Sequence, residues 1–391
     1  MSYLSSHKSI LIAAVSLILL LVIGRLAVAH FDSTYFIVAG TDFVDTARTP
    51  SPVIVQPGQG YDGQFFYRYA LHPFDLTPAA NGITTDHPAY RIQRIGYPFM
   101  AWLLSAGGRP YAVPWAMLLL NIVAFAGIFF YTGRFITLMG GNVRQGLLPL
   151  LLCGLYMSLA RDLSEVVELF FFTGALYYLF TSRYLLLCVF ATLTIFCRET
   201  SVIAFLPLAA CLLIRQVREG VRLPAMVAIV LPFLLFAVWK LIIYTYMVSP
   251  EAVTSSYRSL GIPFKGIISG FLLNYDLSDT RHILQFLFWV MYFIWQVLFA
   301  IKVCSAISLR SVPRLDNVAV LKVIYLVWLL FAVCFTDTIY CDDWGFVRIF
   351  SLWGMTGILI LIAEKKRTHP LFNIYSATMV LLTIARLIIK V

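Results

Sequence analysis

The chain has 391 residues, of which 61% are hydrophobic and only 12% charged, with a mean hydropathy of +0.86. A soluble domain covers its surface with charge, so this balance excludes one. The net charge of +10 is spread over short loops between apolar runs, where topology-setting cations belong, and is not a nucleic-acid patch.

Repeated apolar runs predict an all-α fold: a polytopic transmembrane helical bundle forming one integral-membrane domain over 1–391. The alternating strands of a transmembrane barrel are missing. A first span covers 10–29 and is read as an uncleaved anchor, because its apolar run is longer than a signal peptide's. Residues 31–92 then form a long polar loop with six Asp and six Pro. A structureless loop of that length is unusual unless it is functional, so short interfacial helices are expected in it, one starting near Asp62. The apolar piece 95–104 is too short to span comfortably. Further runs follow at 113–131, 147–160, 166–180, 184–196, 201–214, 223–247, 283–303, 318–335, 346–363 and 371–389. Most of the seven cysteines fall within such runs, without metal or disulfide spacing, and read as small core residues.

Charge sorting orients the chain. With 95–104 folded back on the outer side and the other eleven runs crossing, the inner loops hold Arg134 and Arg144, Arg183, Arg215, Arg218 and Arg222, Lys302, Arg310 and Arg314, and Lys365 to Arg367. That is the positive-inside pattern, with a cytoplasmic N-terminus. Only Glu219, Asp316 and Glu364 of the nineteen acids fall inside. About eleven spans are therefore expected, within a range of ten to thirteen. Residues 31–110 and 248–281 become the two large extracytoplasmic loops. Lys240, Lys322, Arg25 and Arg386 lie in or near spans and read mostly as snorkelling side chains.

This topology gathers polar groups at the outer face. Gly60-Tyr61-Asp62-Gly63-Gln64 opens an aromatic-rich run. Asp62 has two compatible readings: a helix N-cap, or a general base for an acceptor hydroxyl. The neighbouring Tyr and Phe residues are expected to hold the helix at the membrane interface. Asp42 and Asp45 offer a second carboxylate pair or a solvated helix end. Asp162, Glu165 and Glu168 have helical spacing for one face, with Asp162 and Glu165 lining a polar cavity together with Gln64, Asp42 and Glu199. Arg198 and Arg348 are candidate phosphate ligands, since guanidinium pairs well with phosphate oxygens. Arg91, Arg94 and Arg161 are further anion-binding candidates, with salt bridges to loop acids as the alternative for Arg91 and Arg94. No motif requires a cofactor, and a divalent metal at Asp86 and His87 stays open.

The run Tyr61 to Tyr67, the segment Tyr90-Arg91-Ile92-Gln93-Arg94-Ile95-Gly96-Tyr97-Pro98, Arg161-Asp162-Leu163-Ser164-Glu165 and Arg198-Glu199-Thr200 together resemble the GT-C superfamily of integral-membrane glycosyltransferases, over about the first 215 residues. The resemblance implies a polyprenyl-phosphate sugar donor used on the outer side of the membrane, with Asp62 as catalytic base. Many members carry Asp-Asp or Asp-Glu in this loop, whereas Gly63 follows Asp62 here. The expected partners are that donor, a glycan, lipid or protein acceptor, and membrane lipids, in a setting such as the bacterial inner membrane. The expected reaction is a single inverting displacement. A transporter or flippase for lipid-linked sugars, or a polymerase or ligase using the 248–281 loop with Arg258, Lys265, Asp276 and Asp279, are the competing readings.

Overall fold

The computed structural model describes residues 2–220, 222–247, 260–308, 313 and 315–389. Arg258, Arg310 and Arg314 lie outside them. The fold is almost entirely helical. Helix α1 (Ser2–Val28) leads into the polar region, which is built rather than structureless. A 3-10 turn covers Ser33–Phe36. Strands β1 (Ala39–Gly40) and β2 (Val55–Gln56) pair in parallel, α2 covers Gly63–Leu71, and β3 (Ala79–Ala80) pairs antiparallel with β4 (Ile83–Thr84). Helices α3 (Pro88–Ile92) and α4 (Gly96–Leu104) complete it. At nine residues α4 is about 13 Å long, less than half an apolar bilayer thickness.

The remaining order is α5 (Val113–Met139), a 3-10 stretch Val143–Leu151, α6 (Cys153–Leu159), α7 (Glu165–Phe180), α8 (Tyr184–Cys197), a 3-10 turn Glu199–Ser201, α9 (Val202–Glu219) and α10 (Leu223–Met247). Then come α11 (Lys265–Asn274), α12 (Thr280–Ala306), α13 (Asn317–Cys334), α14 (Asp337–Tyr340), α15 (Asp343–Ala363) and α16 (Pro370–Ile389). Among the described residues, eight helices are long and apolar enough to cross a membrane: α1, α5, α9 with its leading turn, α10, α12, α13, α15 and α16. The run 147–160, expected as one span, is not one helix. Pro149 lies inside the 3-10 stretch, and Leu152 is extended at φ −86°, ψ 92°, so the chain breaks between that stretch and α6.

Helix α15 is the central post. Its most apolar window is 94% buried, and it packs against α6, α7, α12 and α13. Trp353 on this helix stacks on Tyr325 of α13 at 4.9 Å and meets Phe299 of α12 edge-on at 5.5 Å. Helices α10 and α12 are only 22% buried in the same sense. Their outward rows of Leu, Ile and Val, such as Leu234, Val238 and Leu241, suit contact with lipid tails and would be costly against water.

Side-chain contacts define two ends of the bundle. At one, Lys322 meets Glu364 at 2.5 Å, Gln145 donates to the Lys366 carbonyl at 3.0 Å, and Arg215 donates to Asn317 at 2.7 Å. At the other, Arg161 stacks between Tyr61 and Trp344, and Arg386 pairs with Asp343. The broken segment from Gln145 to Arg161 thus touches both ends. Arg25, Lys322 and Arg386 do not snorkel: Arg25 and Lys322 are 4% and 2% exposed, and each of the three binds an internal partner. They tie helices together.

Candidate active site at one end of the bundle

Asp62 sits at the first position before α2, with helical φ −57° and ψ −26°, and its side chain makes no cap hydrogen bond. The expected cap is therefore absent. The carboxylate instead faces guanidinium groups: Oδ1 is 2.8 Å from Nη1 of Arg91, and Oδ2 is 3.8 Å from Nη2 of Arg348. Burial pushes its pKa up, but Arg91, Arg348, Arg94 and Arg198 outweigh that and hold it down at about 2. Asp62 is ionised at neutral pH.

The backbone explains this placement. Gly60 has φ +63°, a conformation suited to glycine. A Cβ on Gly63 would lie 2.4 Å from the Arg161 carbonyl oxygen and 2.6 Å from that of Ile37. The first turn of α2 is thus clamped backbone to backbone, and no side chain fits after Asp62. An acidic side chain has no more room at this position than any other. Behind the clamp, Phe65, Phe66, Tyr67 and Tyr69 are all at most 2% exposed. They are core residues, not the expected interfacial belt.

Four arginines line the cavity in front of Asp62, which has a volume of about 360 Å³. Arg91 grips Asp86 with two bonds of 2.8 and 2.6 Å while also reaching Asp62. Arg94 grips Glu199 at 2.7 and 2.6 Å and touches the Tyr90 hydroxyl. Arg198 and Arg348 share one acceptor, Oε1 of Glu165; Arg348 approaches it at 3.0 Å. The other oxygen of Glu165 and Nε of Arg198 are buried with no protein partner among the described residues. Arg198 and Arg348 thus share Glu165, and Arg348 divides itself between Glu165 and Asp62, so a phosphate could displace a carboxylate on this wall.

Tyr61 closes the wall. The Arg348 guanidinium lies 4.9 Å from its ring centre and that of Arg161 4.2 Å. Arg161 also stacks on Trp344 at 4.1 Å, whose ring takes Arg386 at 3.9 Å. The alternation of cations and rings connects Tyr61, the residue before Asp62, to the Asp343–Arg386 pair between α15 and α16.

The chain matches no known protein-family model, no curated protein and no solved structure. The site therefore rests on its own geometry. Asp62, Gln64, Arg91, Arg94, Arg198 and Arg348 line one cavity, and Glu165 and Glu199 support it by bonding to its arginines. Gln64 has a structural part as well, since it accepts from Gly40 N–H at 3.0 Å and donates to the Gln59 carbonyl at 2.8 Å. Arg161 stands behind Tyr61. Asp42, expected to line the cavity, is exposed and outside it. The expected common face forms only in part: Glu165 and Glu168 share the first turn of α7 and meet Arg198 and Ser201, but Asp162 is not on it. Asp162 precedes α7 with φ +47° and is wholly buried near Asn121, while Glu168 bonds Ser201 at 2.5 Å.

A divalent metal does not fit. No group of three or more His, Cys, Asp or Glu converges among the described residues, and both oxygens of Asp62 and both of Asp86 already face arginines. Sequence reasoning passed over Tyr61 as a wall, Tyr90 as a lining residue, and Cys341. Cys341 is exposed and lines the cavity, the one departure from the reading of the cysteines as core residues. The signal for Tyr61 was its adjacency to Asp62; Cys341 gave none.

Proposed function

We propose that this chain is an integral-membrane glycosyltransferase that moves a sugar from a polyprenyl-phosphate donor to an acceptor hydroxyl. What carries the reading is the uncapped, ionised Asp62, set against arginines in a cavity at one end of a lipid-compatible bundle. Asp62 removes the proton of the acceptor hydroxyl. The acceptor oxygen bonds to the anomeric carbon as the bond from that carbon to the phosphate oxygen breaks, inverting the centre. The leaving polyprenyl phosphate gains a negative charge, which Arg198 and Arg348 stabilise.

A carboxylate whose pKa is held down at about 2 is a weak base on its own. Donor phosphate on Arg348 draws that cation's field away from Asp62 and adds a negative charge beside it, and both effects raise its basicity. Substrate binding thus primes the base. A single inverting displacement needs one base and no covalent intermediate.

Eleven segments run between the two ends in this reading: the eight long helices together with 143–161, α7 and α8. The arginine cavity then opens on the extracytoplasmic side, with the N-terminus cytoplasmic, as in a bacterial inner membrane. A flippase needs polar groups along a path between both faces, whereas the charged lining of this cavity stays at one end.

The test uses purified protein in lipid bilayers, a panel of polyprenyl-phosphate hexoses and pentoses labelled in the sugar, and membrane glycans or water as acceptor. Asp62→Asn is expected to abolish label transfer while a polyprenyl monophosphate still shields Cys341 from alkylation. Turnover near the wild-type level in that variant overturns the assignment.

A further inference from the structure

A second cavity lies among the loops that carry α2, and its chemistry is the reverse of the first. Its volume is about 270 Å³, just below the range of small-ligand clefts that begins at about 300 Å³. Its described lining contains one carboxylate, Asp32, and no Lys, Arg or His. Phosphate and anionic headgroups, welcome in the arginine cavity, are disfavoured here.

Three rings stand at its wall: Phe31, Tyr111 and Trp115, exposed by 63%, 74% and 48%. Three hydroxyl residues, Ser33, Thr34 and Ser51, contribute to its lining; Thr34 Oγ1 takes the Ile54 N–H at 3.0 Å and keeps its own proton to donate. The ring of Phe31 is held there at a cost. His30 and Phe31 both follow α1 in the left-handed region, at φ +51° and +63°, which is uncommon for bulky side chains and recurs at functional sites. The cavity is also coupled to α2, because Ser51 bonds the Tyr67 hydroxyl at 3.1 Å.

We propose that this cavity binds a neutral sugar ring, as a subsite for a glycan acceptor. The apolar face of a pyranose stacks on an aromatic ring, and its hydroxyls bond a carboxylate and side-chain hydroxyls. One oxygen of Asp32 takes the Thr34 N–H at 2.8 Å, leaving the other to accept from a sugar. A membrane-interface belt would account for Tyr111 and Trp115 alone, but not for the strained Phe31, the carboxylate or the hydroxyls. A quaternary ammonium would favour the rings and Asp32 but gain nothing from three hydroxyls.

The assignment of the sugar as acceptor rests on the glycosyltransferase reading; sugar binding itself does not. The experiment is therefore direct binding by saturation-transfer NMR on the full chain in nanodiscs, without donor. The probes are methyl hexopyranosides, methyl pentosides, short neutral oligosaccharides, choline and inorganic phosphate. At least one neutral glycoside is expected to show transfer, and Trp115→Ala and Asp32→Asn are each expected to weaken it about tenfold or more. Tyr111→Ala, at a more exposed ring, guards against misfolding of the Trp115 variant and is expected to weaken binding as well. Binding is read without donor or turnover, so failure of the catalytic reading leaves this result standing. Choline binding alone, phosphate binding abolished by Trp115→Ala, no binding by any glycoside, or sugar binding indifferent to all three cavity variants overturns the proposal.

Discussion

Arg91 divides its fork between two carboxylates, taking Asp86 with Nε and Nη2 and Asp62 with Nη1. It thereby fixes the direction in which Asp62 points, while Arg348 approaches the other oxygen loosely enough to leave for a phosphate. The position after Asp62 matters as much. Gly63→Ala puts a methyl group 2.4 Å from the Arg161 carbonyl, a backbone atom held by its own segment. We predict that this single carbon costs roughly 1–3 kcal/mol through overpacking and turns Asp62 away from Arg91. Thermal unfolding should show a lowered midpoint, and sugar transfer should fall much further than stability alone explains; a variant with wild-type turnover would show that the clamp is not needed. At this scale the sequence was informative where one residue type has one use. Asp62 between glycines, Arg198 at a turn and Arg348 at the head of a span were readable as residues that meet at one cavity. The choice of partner was not. That Arg94 bonds Glu199, 105 positions away, or that Asp42 faces solvent while Asp86 enters the site, depends on how the loop folds over α4 and α8.

The elements obey the apolar pattern except where polar bonds or proline interrupt it. The eight long helices were readable from hydropathy because burial in lipid or protein asks the same thing of their side chains. The segment 143–161 was not, since Pro149 and the extended Leu152 convert an apolar run into a 3-10 stretch and a short helix. Nor were the internal ion pairs, because a lone Lys in a span reads as a snorkel until its partner is placed. Lys322 on α13, 2% exposed, meets Glu364 just beyond α15. Glu364→Gln takes the carboxylate away from that buried ammonium. Since Glu364 is 29% exposed, the expected loss is on the order of 2 kcal/mol, below the roughly 3–5 kcal/mol of a fully enclosed pair. The double variant Lys322→Met with Glu364→Gln should recover most of it, as it removes the buried cation together with its carboxylate. Unfolding midpoints of the wild type, both single variants and the double variant give the coupling directly, and an additive cycle would mean the pair does no tying.

At the scale of the molecule, the two ends differ in kind. One collects paired carboxylates and arginines around cavities, and the other carries Lys365, Lys366 and Arg367 at an exposed turn. If the bundle sits across a membrane as its charge sorting requires, the arginine cavity and the Lys366 turn face opposite compartments. The chain supplies its own reporter for the first, because Cys341 is the exposed cysteine among those described. In sealed right-side-out vesicles, a membrane-impermeant maleimide should label Cys341 without permeabilisation. In a Cys341→Ser background, Lys366→Cys should be labelled only after the membrane is opened. Partial desolvation at the cavity wall and the carboxylate of Asp342 push the Cys341 thiol up to about 11, so its labelling will be slow and will quicken as the pH is raised toward that value. Labelling of both positions from the same side would reject the topology, and the extracytoplasmic reaction with it, whatever Asp62 does. Labelling from opposite sides, with a polyprenyl monophosphate slowing only Cys341, would join the orientation of the bundle to the occupancy of its arginine cavity in one measurement.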